Sequence, residues 1–404
     1  MATAELLSRR DFARGSAALL GAAVAGCAAP DAARRQPSPP DTYQAASETR
    51  FPLLEVRGAP YAMGRTIGQR FAAQIRGGFE ARAAWWRRLK AIADAQPAKV
   101  YDTFLAAARR HAPHIVEELR GWADGCGLPF RDLMLLNLKA EYQALHDRRS
   151  PEPQPGCSTI VKAGARGFVL AHNEDGDQAY RERMFVVRMR PEGKPAVLCA
   201  SYPGILPGNA PWINDAGLIM TTNFIYTREV RLGVGRYFLD RLAMEARSLD
   251  EAVAICTHPE RAYAFHHVLA SASERRVLSI EVTPTRQSRL AIDGLFLHTN
   301  HLVHPALAGE QQDLDYVGTS SLSRWQVLGA WKAGVAGREA RLTPRDLVRA
   351  LASHEQSPYS PCRHPQGKVR GTTLLTALFE TPVRAMQIYK GQPCRGRREA
   401  LPLL

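Results

Sequence analysis

Cys157 follows Gly156 at the end of a Pro-rich stretch, Ser150–Gly156, and precedes two apolar runs, Ser158–Lys162 and Phe168–His172. The runs have the β-branched and aromatic content of strands, and Gly164–Gly167 between them is turn material. This pattern puts Cys157 at the first residue of a hairpin. It puts Asn173 and Asp175 just past the returning strand, back beside the thiol. A thiol, a peptide bond after an unhindered glycine and a nearby carboxylate make a set able to cut its own chain. The thiol attacks the Gly156 carbonyl, a thioester forms, and water releases it. Cys157 then carries both a thiol and a free α-amine with a pKa of about 7.7–8.0. That amine accepts the thiol proton, so no separate histidine base is required. The oxyanion of each tetrahedral intermediate needs donors, and one donor is worth about 10²–10³ in rate. Two Asn-bearing strand ends supply neutral amides: Asn214–Phe224, which contains Asn223, and Leu297–His301, which contains Asn300. Asp175 is the candidate to orient the new ammonium or the thiol.

The elements that position these groups follow from periodicity. Met63, Ile67, Phe71, Ile75 and Phe79 recur at helical spacing, so a helix is expected over Tyr61–Ala93, with Gly77-Gly78 as a break or kink. Further helices are expected at Val100–Ala112, Pro113–Ala123 and Phe130–Tyr142, with Gly125–Pro129 as a stop signal. After Cys157 the period changes to two. Strands are expected at Arg183–Met189, Ala196–Ser201, Leu218–Asn223, Val277–Val282, Gly294–His298, Thr372–Phe379 and Arg384–Tyr389. Helices return at Tyr237–Ala246, Leu249–Thr257, Ser321–Ala333 and Pro344–Ala352. Sheets covered by helices, an α+β class with layered αββα order, accommodate this succession. Glu174 and Asp177, flanking Asp175, read as a solvated turn.

The chain has 404 residues, 45% hydrophobic and 23% charged, with a net charge of +14. The basic residues are scattered, and no nucleic-acid module is present, so nucleic acid is not an expected partner. Ser8-Arg9-Arg10-Asp11-Phe12 has the twin-arginine form, and the small apolar run Gly15–Gly26 suits an export signal but is too short to span a bilayer. Val24-Ala25-Gly26-Cys27 resembles a lipobox, which makes Cys27 the expected lipidation site. The expected organisation is signal 1–26, Pro-rich tether 27–50, helical pro-region 51–156 and catalytic chain 157–404. The expected location is periplasmic, anchored to the membrane through Cys27. Of the 7 cysteines, Cys362 and Cys394 are the pair to test for a disulfide. There is no CxxC, and no His/Cys spacing matches a zinc pattern, so neither metal nor cofactor is expected.

Gly156-Cys157-Ser158-Thr159, Asn173-x-Asp175, Asn214-x-Ala216-Gly217 leading to Asn223, His298-Thr299-Asn300-His301 and Cys362-Arg363-His364-Pro365 occur in this order. Together with Gly58-x-Pro60-Tyr61 and Gly391-Gln392-Pro393-Cys394, they resemble the acyl-coenzyme A:6-aminopenicillanic acid acyltransferase family. That family consists of N-terminal nucleophile (Ntn) hydrolases, distantly related to conjugated bile acid and penicillin V hydrolases. The resemblance implies a four-layer αββα sandwich preceded by the helical pro-region. It implies a cut between Gly156 and Cys157, with the two chains staying associated. Cys157 would be the nucleophile, Asp175 its polar support, Asn300 the main oxyanion donor and Asn223 its neighbour. Arg324 or Arg363 would bring a positive group to the pocket. His172 stands where related bile acid hydrolases carry an arginine, so His172 and Asn173 fall on the substrate side. The expected activity is hydrolysis of a linear amide in a small N-acyl compound through an acyl thioester. The alternatives are transfer of that acyl group to an amine, and a lipid-anchored binding protein that has lost turnover.

Overall fold

The computed structural model describes residues 50–146, 156–227, 229–310 and 314–403. The signal, nearly all of the tether and Cys27 lie outside these residues. The described chain belongs to one compact unit, Ala45–Leu404.

In chain order, strand β1 (Leu53–Gly58) leads into helices α1 (Pro60–Arg70), α2 (Ala72–Ala81), α3 (Ala83–Asp94), α4 (Ala98–His111), α5 (Pro113–Cys126), α6 (Phe130–Asn137) and α7 (Lys139–His146). The hairpin β2 (Ser158–Gly164) and β3 (Gly167–Asp177) follows, then β4 (Phe185–Pro191), β5 (Val197–Ser201), β6 (Trp212–Asn214) and β7 (Leu218–Phe224). Helices α8 (Arg236–Ala243) and α9 (Leu249–Cys256) precede β8 (Phe265–Ser271), β9 (Arg276–Val282), β10 (Gln287–Ala291) and β11 (Gly294–His298). Helices α10 (Leu314–Gly334) and α11 (Pro344–Leu351) lead to β12 (Gly371–Glu380), β13 (Ala385–Lys390) and β14 (Arg398–Pro402).

The strands form two sheets. The 8-stranded sheet has the order β1-β4-β5-β6-β7-β8-β9-β10, and the 6-stranded sheet the order β11-β2-β3-β12-β13-β14. Every pairing is antiparallel except β1 with β4. The sheets meet face to face at β2 with β7 and at β3 with β9. Helix α9 packs on β8, while α10 and α11 pack on β11, β3 and β12. This is the expected α+β architecture, two sheets between helices with a helical region ahead of them. Strand alternation sorts the side chains by layer. Ile160, Leu297 and Leu378 face α10 and α11, where they meet Leu328, Leu347 and Leu351.

The helical region differs from expectation in its joints. The chain turns at Phe71 and Arg82, not at Gly77-Gly78. Phe71 is fully buried against Phe185, its ring stacked at 3.7 Å, and that burial decides the joint. Helices α1 and α5 cross with their backbones almost touching. A side chain on Gly64 or Gly68 would run into the main chain at Glu118 and Trp122. One on Gly121 or Gly125 would meet the main chain at Tyr61 and Arg65.

That crossing delivers Glu118 to the catalytic half. Arg241 of α8 donates to Glu118 Oε2 at 2.6 Å and to Glu245 Oε1 at 3.0 Å, all three buried. Removing one partner from such a network leaves charge buried without compensation, at a cost of about 3–5 kcal/mol. Arg241→Ala is therefore expected to lower the unfolding free energy by about that amount, read as an earlier denaturant midpoint. An unchanged midpoint would refute this role.

Candidate active site

Hairpin register places the site. Ser158 pairs with Asn173 and Thr159 with His172, so Cys157, the residue just before β2 rather than its first, lies opposite the Glu174–Asp175 segment. Strand β3 runs on to Asp177 rather than ending at His172, because β12 pairs with it on the other side through Gly371. Asn173, Glu174 and Asp175 are thus strand residues, not residues past a strand end.

Cys157 and Asp175 both line a cavity of about 480 Å³. The backbone N–H of Asp175 donates to the Cys157 thiol. Burial pushes that thiol well above the usual range, and the Glu174 and Asp175 carboxylates push it further up. The uncut chain therefore holds a protonated thiol that needs a base. The Asp175 carboxyl accepts from Thr373 Oγ1 at 2.7 Å, and its Oδ2 has no hydrogen-bond partner among the described residues. Burial raises it to about 7, against the pull of Arg324 and Arg363. It is thus poised to ionise near neutral pH.

Arg324 of α10 joins the parts. It donates to the Cys157 carbonyl, to Ser158 Oγ at 2.9 Å and to Asn300 Oδ1 at 2.7 Å. Burial lowers its own pKa to about 10. The Nδ2 of Asn300 donates to the Phe224 carbonyl at 2.9 Å. A Cβ added at Gly156 would fall 2.7 Å from Asn300 Cγ and collide with Asn300 Oδ1 and the Arg324 guanidinium. The chain just before Cys157 thus passes so close to these two side chains that a larger residue would have to push their hydrogen-bonded ends aside. Arg363 is fully buried, with Nε and Nη1 unpartnered among the described residues, and its charge acts on Asp175 and Cys157.

Of the expected site residues, Cys157 and Asp175 line the cavity; Asn300, Arg324 and Arg363, though close to Cys157, do not, and three others are bound up elsewhere. Asn223 does not line the cavity, although its neighbours Thr222 and Phe224 do. Its Oδ1 accepts from Thr159 Oγ1 at 2.8 Å and hydrogen-bonds with His266 at 3.0 Å, while its Nδ2 is unpartnered among the described residues. His172 and Asn173 do not reach the cavity either. His172 is held between Thr159 at 2.8 Å and Glu174 at 3.1 Å. Asn173 donates to the carbonyls of Leu351 and Pro361, both at 2.9 Å, and so ties β3 to α11. These side chains fasten layers together.

Glu174 reverses the solvated-turn expectation. It is buried, lines the cavity and accepts from the Tyr202 hydroxyl at 2.6 Å. Asp177 does cap a turn, accepting from the Ala179 N–H at 2.8 Å. Ligand atoms of Cys157, His172 and Glu174 lie within 4.8 Å of one another, but Glu174 is already committed to His172 and Tyr202. Sequence reasoning also missed Lys139, Arg236, Tyr237, Phe265, Lys368 and Arg370, all on the cavity wall. No motif marks them, because they come from four separate segments.

A family model described as acyl-coenzyme A:6-aminopenicillanic acid acyl-transferase matches residues 162–395. The chain belongs to this family. The matched span begins five residues after Cys157 and includes Asp175, Asn300, Arg324 and Arg363. The β-alanyl-dopamine/carcinine hydrolase of Drosophila melanogaster is 26% identical over 379 residues, covering 87% of this chain and 96% of that protein. The 40 kDa form of the acyl-coenzyme A:6-aminopenicillanic-acid-acyltransferase of Emericella nidulans is 24% identical over 288 residues, 70% of this chain and 76% of that one. Among solved structures, a C2A mutant of the conjugated bile acid hydrolase from Clostridium perfringens aligns with a TM-score of 0.43 and 10% identity, covering 61% of this chain and 92% of that one. As a member of the acyltransferase family, this chain is an Ntn-type hydrolase or acyltransferase acting on carbon–nitrogen bonds.

Proposed function

We propose that the protein is an autoprocessed N-terminal-cysteine amidase. It cuts itself between Gly156 and Cys157 and then cleaves linear N-acyl amides through a thioester on Cys157. The observation that carries this reading is the crowding of Gly156 against Asn300 and Arg324 beside a buried thiol. A glycine there lets the chain pass against the Arg324 guanidinium, a donor, and the Asn300 amide that it holds. The raised thiol pKa supports it too: an amine with a pKa of about 7.7–8.0 supplies the base that the uncut site lacks. Asp175 Oδ2, unpartnered among the described residues, is an acceptor for the ammonium that results.

The cavity favours a particular substrate shape. Tyr180, Tyr202, Phe224, Tyr237 and Phe265 give it an aromatic side, and Arg82, Arg236 and Lys368 a cationic one. An N-acyl compound with an apolar or aromatic half and an anionic group, such as an N-acyl amino acid, fits both. Water rather than an amine acceptor takes the acyl group, as in the name of the fly relative that spans most of the chain. The twin-arginine motif and Cys27 support export and lipid anchoring. The two chains stay together because residues before the cut supply β1, paired with β4, and Glu118, paired with Arg241.

The test is mass spectrometry of purified protein. A chain starting at Cys157 is expected, carrying an acyl adduct when an N-acyl amide reaction is quenched in acid. Turnover by an uncut chain without any adduct would sink the reading. Adding hydroxylamine or an amine acceptor during turnover then separates transfer from hydrolysis.

A further inference from the structure

Beyond the cavity, four metal-binding side chains converge where three separate segments meet. His354 lies three residues past the end of α11, Cys362 and His364 lie in the loop before β12, and Cys394 lies between β13 and β14. Their ligand atoms all fall within 4.8 Å of one another. The Cys362 and Cys394 sulfurs are 3.5 Å apart, and His364 Nε2 is 3.6 Å from the first and 3.3 Å from the second. The His354 and His364 rings meet edge to face at 5.0 Å. His354 Nε2 is buried without a hydrogen-bond partner among the described residues.

We propose that His354, Cys362, His364 and Cys394 form a tetrahedral zinc site. With Zn–S near 2.3 Å and Zn–N near 2.0–2.1 Å, the edges of such a tetrahedron are about 3.8 Å between sulfurs and about 3.6 Å between sulfur and nitrogen. The three separations among Cys362, Cys394 and His364 are within a few tenths of an ångström of these edges, and His354 lies within 4.8 Å of all three. The soft–borderline S2N2 set suits zinc. Four protein ligands leave no open position, so the metal is structural. Binding releases the two thiol protons to solvent, and no oxidant or reductant takes part.

Sequence spacing hid the site. The ligands are spread from residue 354 to 394 in a pattern unlike a CxxC framework. The pairing expected of Cys362 and Cys394 is met in position, but both are free thiols.

The site's purpose follows from what lies between its ligands. Arg363 is flanked by Cys362 and His364, and Tyr359 on the same loop lines the cavity. The Arg363 N–H donates to Thr373 Oγ1 at 2.9 Å, and the same hydroxyl donates to Asp175. Zinc pins this loop at Cys362 and His364, on either side of Arg363 in sequence. Arg363 is thus a positioned residue and the four ligands are its positioning residues.

The test uses the full-length, untagged protein. Elemental analysis and native mass spectrometry are expected to find stoichiometric zinc. Replacing the zinc with cobalt should give the intense visible bands of a tetrahedral thiolate centre. Cys394→Ser and His354→Ala should each lose the metal and those bands, with circular dichroism reporting whether the fold survives. A mature protein carrying a Cys362–Cys394 disulfide would overturn the proposal. So would chelator-stripped wild-type protein that takes up neither zinc nor cobalt, or a Cys394→Ser protein that keeps its zinc.

Discussion

Cys157→Ala should leave the protein as one unbroken polypeptide and remove amide hydrolysis by on the order of 10⁴–10⁶-fold. Both losses have one origin. On the proposed mechanism the sulfur attacks both in the cut and in turnover, and the α-amine that would serve as base exists only after the cut. The substitution removes a small buried atom group without disturbing the neighbouring network. Arg324 holds the residue 157 carbonyl, not its side chain. The variant is therefore expected to fold, with an unchanged circular dichroism spectrum. Intact mass gives the first readout and release of amine from an N-acyl substrate the second. A cleaved variant, or one keeping a tenth of wild-type turnover, would mean that another group attacks.

Asn300→Ala carries the second-largest expected effect. Its Nδ2 gives one proton to the Phe224 carbonyl and has a second to offer an oxyanion, while its Oδ1, held by Arg324, is the atom nearest Gly156. Loss of one such donor lowers kcat by about 10²–10³-fold, since the bond is strongest when charge has developed on oxygen. KM should move by no more than about threefold, because ground-state binding does not depend on that bond. Slower self-cleavage should accompany it, visible as accumulated full-length chain. A tenfold rise in KM with kcat preserved would instead make Asn300 a binding group. The oxyanion role would then pass to Arg324 or to main-chain donors.

The hairpin that carries Cys157 could be read from sequence because its alternation and its glycine turn are local signals. Ala165 and Arg166 form the tip between the paired Gly164 and Gly167, where the pattern puts it. Strand β1 could not be read so. Leu53–Gly58 is half exposed, and its partner, β4, lies some 130 residues away. Strand β8 was missed for another reason. It carries His266 and His267, polar residues that are buried because Asn223, Ser279 and Asp240 satisfy their rings. Burial of polar groups depends on partners, and partners are long-range. The same limit explains Glu174, which reads as a solvent-facing acid until Tyr202 and His172 are brought against it. Asp175 and Asn300 were legible because motif order marked them. Asn223 shared that marking, but alternation along β7 turns it toward Thr159 instead of the cavity.

The guanidinium of Arg324 reaches back across 167 positions of chain to the carbonyl of Cys157. A ribosome that has made the hairpin has not yet made the helix that steadies it. On the proposed cut, self-scission would wait for synthesis and assembly to finish, and its occurrence would certify that they have. Truncated or stalled products would then remain whole, and the nick itself would be the seal of quality.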